Sequence, residues 1–382
     1  MKYIGYFILL SILLNSCDFS LEKFPLNKYG EVIDTIHKQV IFSSSKDVLE
    51  LKSYSTSSSW MKDSLEVVIA YNHRVHALDI LNVNKMSIHS VHLFREGPNG
   101  IAGKISAIYP VAKDSIWVYD GINMFLLDNG GKVQRKINLG TRDEILIGTN
   151  FAMNTSKFVY NKKRHSILYL AKRNGGWNIE EFNLKSNKIV KSVLLHNSVY
   201  NEENSFIYAN MNVPNVTFRD DKVIYNFPYE SSIYVLDLKT SYISIYGGES
   251  AYTNNIARTC NSNNDYSVWE RHGIENPHFY DVMYLPESSL YVRPHLGGVE
   301  YDLSKSLQEL GDNRTLYLMF FDENFNIVGE FEMEKHRYSY FTGWCAMSNA
   351  LLLFEYNSLS DSIDYESLIV DLVIPKIKDN EK

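Results

Sequence analysis

Six side chains between residues 248 and 315 have the types needed to hold a ligand: Trp269, Arg271, His272, Arg293, His295 and Tyr301. A guanidinium presents a planar fork of donors that matches a carboxylate, a phosphate or the hydroxyls of a sugar. An indole or phenol ring can stack against the apolar face of the same ligand. These six are expected to line a ligand pocket; the alternative is that they satisfy one another and the surface backbone. The spacing of His272, His278 and His295 fits no standard zinc pattern, so no metal is expected there. His73 and His76 could meet across a tight connection. His89 and His92 face opposite sides of a strand and cannot chelate one ion.

Covalent catalysis finds little support. No Gly-x-Ser-x-Gly elbow occurs. The Ser-x-x-Lys spacing at Ser20–Lys23, Ser43–Lys46 and Ser59–Lys62 lacks the partner motifs that would give it meaning. Glycoside hydrolysis needs two carboxylates at a set separation, which sequence cannot place. Gly97-Pro98-Asn99-Gly100 and Gly297-Gly298 read as turns, because neither leads into the Gly-Lys-Ser/Thr and helix of a phosphate loop. No catalytic residue and no cofactor is assigned.

The N-terminus carries its own chemistry. Met1-Lys2 leads into an apolar run from Tyr3 to Leu14, followed by Asn15-Ser16-Cys17. One positive charge, a short apolar stretch and a small residue before a cut are the parts of an export signal. The run is too short to span a membrane, which takes about 20 apolar residues. A Cys directly after the small residue has the lipobox pattern, in which the sulfur takes a diacylglyceryl group before cleavage. The alternative is an ordinary signal or a buried helix that happens to contain Cys. The expected organisation is a signal over 1–16, a lipidated tether over 17–30, a folded domain over 31–375 and a tail over 376–382. The expected location is the cell envelope, with the outer membrane favoured over the inner.

Composition narrows the partners. A net charge of −7 among 382 residues argues against nucleic acid, which needs a basic stripe. The 27 Tyr and 19 Phe, with many Ile and Val, favour strands. Once Cys17 is lipidated, Cys260 and Cys345 remain. An oxidising compartment permits a disulfide between them, and two free thiols are the favoured reading.

The elements that position these residues repeat. Ile105–Ala112, Ser115–Tyr119, Met124–Asp128 and Val133–Leu139 are four short strand candidates in succession, joined by turn residues. Such a meander is the blade of a β-propeller. Similar units begin near Leu65, Ser166, Val223, Leu316 and Leu351. An Asp closes the third strand at 79, 128, 237, 322 and 371, with Asn183 at the matching place, and is expected to cap the turn that follows. The period of about fifty residues, broken once by a longer gap before 322, predicts an all-β, six-bladed propeller closed by an N-terminal strand, Thr35–Phe42. Seven blades and a pair of β-sandwiches are the rival folds.

The common propeller signatures are absent: no regular Trp-Asp ending, no kelch double glycine and no sialidase Asp-box. Phe94-Arg-Glu-Gly-Pro-Asn-Gly-Ile101 after a fourth strand, and the Leu-Leu-Asp-Asn-Gly-Gly-Lys hairpin ending at Lys132, resemble a group of Bacteroidetes lipoproteins, the family called domain of unknown function 4221. The resemblance covers nearly the whole mature chain. It implies a six-bladed propeller and an envelope location, and it brings no activity and no catalytic residues. The expected function is therefore a membrane-anchored binding or scaffold module, attached to lipid through Cys17 and taking an envelope protein or glycan. The alternative is a hydrolase or lyase acting on carbohydrate or peptide at the channel mouth.

Overall fold

The computed structural model of the protein describes residues 21–23, 28–43, 53–62, 65–112, 114–139, 158–173, 176–196, 207–209, 211–260, 262, 265–338, 343–356 and 367–378. These residues form six antiparallel sheets, and each sheet is one blade of a propeller. Blade 1 contains Ser57–Lys62, Leu65–Asn72, Ala77–Asn82 and Ser87–His92. Blade 2 contains Ala107–Ala112, Ser115–Tyr119, Asn123–Leu127 and Val133–Asn138. Blade 3 contains Phe158–Asn161, Ser166–Arg173, Gly176–Asn183 and Lys188–Leu194. Blade 4 contains Asn215–Arg219, Lys222–Asn226, Ile233–Asp237 and Ile243–Tyr246.

In blade 5 the first strand is split into His278–Phe279 and Met283–Leu285, both paired with Leu290–Leu296; Leu316–Phe321 and Ile327–Glu332 complete it. Blade 6 takes Trp344–Ala346, Leu351–Phe354 and Ser367–Ile377 from the C-terminal end, and its fourth strand, Ile33–Ser43, from the N-terminal end. The folded domain thus reaches past the expected boundary at 375: Lys376 and Ile377 pair with Asp34 and Ile33.

The near-continuous apolar runs have a simple cause: blades are buried on both faces. In blade 2, Ile116 and Val118 pack into a core shared with blade 1, while Trp117 and Tyr119, pointing the other way, join a core shared with blade 3. Six such cores occur, one at every junction between neighbouring blades, and each mixes residues of both. The junction of blades 4 and 5 has the smallest, with nine buried residues.

Because strands alternate in direction, the first-to-second hairpin of every blade and the third-to-fourth hairpin of blades 1–5 emerge on one face of the ring, here called the hairpin face. Longer connections occupy the opposite, loop face. The gap before residue 322 is two insertions on the loop face of blade 5. One carries helix α1 (Tyr266–Glu275), whose first turn is capped by Asp265. The other carries α2 (Leu307–Asp312), opened by a Ser306–Glu309 capping box.

Four of the six repeating acidic or amide positions cap turns as expected. Asp128 accepts from the backbone of Gly130 and Lys132, Asp237 from Lys239 and Thr240, Asp322 from Asn324 and Asn326, and Asn183 from Lys185 and Ser186. Gly131, at φ +78, supplies the left-handed residue that the first of these turns needs. Asp79 and Asp371 are corrections to that expectation. Both lie inside their strands and are buried. Asp79 accepts from Tyr54, Asn72 and Ser90, and Asn82 caps the blade 1 turn instead. Asp371 has no turn to cap, because the next strand of its blade comes from the other end of the chain; it accepts from Tyr338 and pairs with His37 at 2.7 Å. In both blades a buried Tyr on the segment entering the first strand is pinned to the third strand.

Part of the segment expected to serve as a tether pairs with the ring. Leu21–Lys23 adds a parallel strand to the outer edge of blade 4, paired with Ile243–Ile245. Gly30 and Val32 then donate to the carbonyls of Ile327 and Val328 on the edge of blade 5. Residues 1–20, Cys17 among them, lie outside the described residues.

The buried Tyr–Asp pins give a stability prediction. Tyr54→Phe leaves one lone pair of Asp79 without its donor and should cost about 1–2 kcal/mol in urea unfolding. Asp371 adds a pH dependence. Burial pushes its carboxyl up, but hydrogen bonds with His37 and Tyr338 and the charge of Arg337 outweigh that, and the net shift is downward. A carboxyl held low in the folded state stabilises above the unfolded value of about 3.9, and that stability is lost as pH falls below it. An Asp371→Asn variant should therefore be less stable than the parent at pH 7 and closer to it at pH 3.

Candidate functional site

The central channel is lined by the innermost strands of all six blades and is narrow, about 210 Å³. Tyr109, Phe158, Phe218, Met283 and Trp344 line it, with the buried Ser57, Asp281 and Cys345 and with Ser58, Ser59 and Thr217 between them. Burial pushes the Cys345 thiol up to about 12. Cys260 lies far along the chain on the loop face, and both thiols are free. Among the described residues, no group of three His, Cys, Asp or Glu side chains could hold a metal ion.

The six residues singled out from sequence do not form one pocket. Arg293 and His295 are fully buried on the second strand of blade 5. The Arg293 guanidinium donates to the carbonyls of Ser231 (2.7 Å) and Gly248 in blade 4, and lies over the rings of Phe279 and Phe321. Burial pulls its pKa down to about 9, so it remains cationic at neutral pH. The His295 ring stacks between Phe279 and Tyr317, with Nε2 3.2 Å from Ser250 Oγ and 3.3 Å from Glu330. Burial, then the charge of Arg293, hold its pKa well below the ordinary value. The imidazole is neutral, and its contact with Glu330 is not an ion pair. This polar knot replaces apolar packing where the core between blades is smallest.

The other four sit on the loop-face insertions. Trp269 donates from its indole nitrogen to the Ser262 carbonyl at 2.9 Å, and Tyr301 donates to Glu270 at 2.8 Å. Arg271 and Arg258 both pair with Glu275. Arg271 and His272 share a shallow cavity of about 280 Å³, and His272 Nε2 lies 2.6 Å from the Arg258 carbonyl. Five of the six make polar contacts that no standard spacing rule gives, with partners in other blades or in loop-face turns; Arg271 alone follows a local i,i+4 rule.

A cavity of about 750 Å³ opens on the hairpin face between blades 4 and 5. That volume is within the range of small-molecule sites. Its floor is aromatic: Phe325 lies against Tyr246 and stacks on Tyr291, with ring centroids 4.8 Å away in each case. Arg219, the last residue of the first strand of blade 4, spans the wall. Its guanidinium sits 3.5 Å from the centre of the Tyr284 ring and donates to Tyr291 Oη (2.5 Å) and Glu323 (2.8 Å). Burial opposes the Arg219 charge, but these hydrogen bonds outweigh it and raise its pKa. Lys28, from the N-terminal segment, completes the outer rim.

Charge in the cleft is balanced. Lys28, Arg219, Lys222 and Lys239 face Asp220, Asp221, Asp237 and Glu323. Lys239 holds Asp221 at 2.8 Å, Arg219 holds Glu323, and Asp237 caps its own turn. These partners hold the carboxyls of Asp221, Asp237 and Glu323 below their usual range. No sequence motif marks this site, since its residues come from three hairpins and a distant segment. The only local hint was an Arg ending a strand before the Asp220-Asp221-Lys222 turn.

The contrast between buried and exposed arginines is measurable. Arg293→Ala removes the donor from two buried carbonyls and opens a cavity, and should cost about 3–5 kcal/mol in chemical unfolding. Arg271→Ala, on an exposed pair, should change stability by about 0.5 kcal/mol or less.

No helix among the described residues is long and apolar enough to cross a membrane. No curated protein matches the chain. In solved structures, the fold is similar to that of a protein from Bacteroides vulgatus described as a member of the DUF4221 family. That likeness has 16% identity, covers 91% of this chain and 99% of that one, and has a TM-score of 0.77. It is also similar, at 9% identity over 94% and 100% of the two chains with a TM-score of 0.56, to a candidate exported protein from Bacteroides fragilis. Both likenesses speak for the six-bladed fold alone. The family profile itself matches residues 34–332, from the closing strand through the last strand of blade 5, and the protein belongs to that family, the domain of unknown function DUF4221.

Proposed function

We propose that the protein is an envelope lipoprotein whose propeller binds a glycan in the cleft between blades 4 and 5. The observation that carries this reading is the cleft itself: an aromatic floor under a rim of fully balanced charge. A ring face of a sugar offers C–H groups to Tyr246 and Phe325, and its hydroxyls can reach Asn324, Asn326 and the paired Arg219–Glu323. A phosphate or polyanion would find Arg219 and Lys239 already paired and four carboxylates on the same rim. The lipobox at Cys17 and the description of one fold relative as exported support the envelope location.

The hydrolase or lyase reading has one observation in its favour. Glu66 and Glu287 share a hairpin-face cavity of about 250 Å³, and burial, with a smaller push from Glu287, raises the Glu66 carboxyl. Yet both oxygens of Glu66 accept from Ser348, from its backbone at 2.6 Å and its hydroxyl at 2.9 Å. In the larger cleft, the carboxyls of Asp221, Asp237 and Glu323 are held below their usual range, which does not suit a general acid.

Saturation-transfer NMR of the purified protein against a panel of neutral envelope glycans tests the binding. The expected result is transfer to at least one glycan, lost or weakened tenfold or more in Tyr246→Ala and unchanged in Tyr266→Ala on the loop face. Equal binding by both variants would put the ligand elsewhere. Anchoring is tested separately: Cys17→Ser should move the protein from the membrane fraction to the soluble one and abolish labelling by a radioactive fatty acid.

A further inference from the structure

The direction of one short strand orients the ring. Leu21–Lys23 runs parallel to Ile243–Tyr246, with Leu21 opposite Ile243, the first residue after the hairpin at 237–242. The chain therefore enters the fold at the hairpin face, on the outer edge of blade 4. Cys17 is four residues earlier, and four residues reach at most about 14 Å. A lipid on Cys17 would hold this edge against the bilayer.

Blade 3, next to that edge, has an unusual pair of hairpins. Asn161–His165 and Asn183–Lys188 carry Lys162, Lys163, Arg164, Lys185 and Lys188, all exposed, and no acidic residue. Arg164 is drawn toward Glu181 and Asp221. Lys162, Lys163, Lys185 and Lys188 form no ion pair among the described residues. Beside Lys188, Ile189 and Val190 are exposed, at 45% and 57%. Lys191 donates to the Leu238 carbonyl, tying this edge to the blade 4 hairpin. The blade 5 insertions on the loop face differ: residues 247–277 and 297–315 contain eight acidic and four basic residues. In a chain of net charge −7, the blade 3 hairpins form a local basic cluster beside the charge-balanced hairpins of blade 4.

We propose that the hairpin face of blades 3 and 4 seats on anionic phospholipid headgroups of the membrane that holds Cys17, with the helical insertions of blade 5 turned away. Basic side chains within a Debye length of an anionic surface are attracted to it, and the two exposed aliphatic residues can enter the headgroup layer. The proposal rests on the lipoprotein reading for its orientation, but the affinity of the face for anionic lipid does not need the lipid anchor. The cleft between blades 4 and 5 opens on the same face, which brings it close to glycans carried by the membrane.

Two measurements test it. In the first, the unlipidated Cys17→Ser chain, without its signal, is sedimented with vesicles of phosphatidylethanolamine and phosphatidylglycerol, and with neutral phosphatidylcholine vesicles. Binding to the anionic vesicles should be at least tenfold stronger, fall in 0.5 M salt, and vanish when Lys162, Lys163, Lys185 and Lys188 are all changed to Glu. The same four changes to Gln keep side-chain length and should weaken binding without reversing it. Equal binding to both vesicles, or binding that survives the Glu variant, overturns the proposal whatever becomes of Cys17.

In the second, a fluorophore is placed on the lipidated protein at Ser186→Cys or Leu303→Cys, with Cys260→Ser present; the buried Cys345 is out of reach of the label. Spin-labelled lipid should quench at 186 and not at 303. Quenching at 303 alone, or equally at both, reverses or removes the orientation. Loss of the protein from the vesicles, by contrast, counts against the anchor only, and the sedimentation result then decides the face.

Discussion

Eleven residue pairs between Ile33–Ser43 and Ser367–Ile377 join the two ends of the chain, and the remainder of the ring depends on that joint. Each blade buries both faces against its neighbours, so no blade has a core of its own. Six interblade cores can all form only if the ring closes. Without Ile33–Ser43, blade 6 would expose the backbone edge of Ser367–Ile377, and Val40 and Phe42 would leave the core shared with blade 1. Within a blade, neighbouring strands are local in sequence; closure alone brings residue 33 to residue 377.

The same residue type serves opposite ends in this ring, and position decides which. Asp128, Asp237 and Asp322 stand where a third strand meets its hairpin and hold exposed turn amides. Asp79 and Asp371 lie within strands, take their hydrogen bonds from tyrosines and are fully enclosed. A buried carboxylate is tolerable only with such donors. The tyrosines gain as well, since each fixes the segment that carries the chain from the rim to the channel.

The junction of blades 4 and 5 departs from the other five. Its apolar core is the smallest, and the deficit is met by Arg293, His295, Glu330 and Ser250 toward the loop face. Toward the hairpin face the blades part to form the large cleft, and the N-terminal segment crosses outside them on its way to blade 6. A junction held by directional hydrogen bonds at one end can open at the other without losing register. The 750 Å³ cleft opens at this junction, away from the narrow central channel.

Much of the fold was legible in the chain. Short apolar runs, turn residues at intervals of about fifty and an unpaired N-terminal strand candidate determine six blades and their closure, because these signals are local and each is set by backbone geometry. The capping roles of Asp128, Asn183, Asp237 and Asp322 were readable for the same reason. The site was not. Trp269, Arg271, His272, Arg293, His295 and Tyr301 drew attention by type, yet five of them make contacts with partners that no periodic spacing marks. Arg219, Tyr246, Tyr291 and Phe325 meet only because two blades lie side by side, and Lys28 joins them from nearly two hundred residues away. Side-chain type and spacing along one strand determine which way each residue points. Which neighbour it then meets depends on the closure of the ring, and only the tertiary structure decides that.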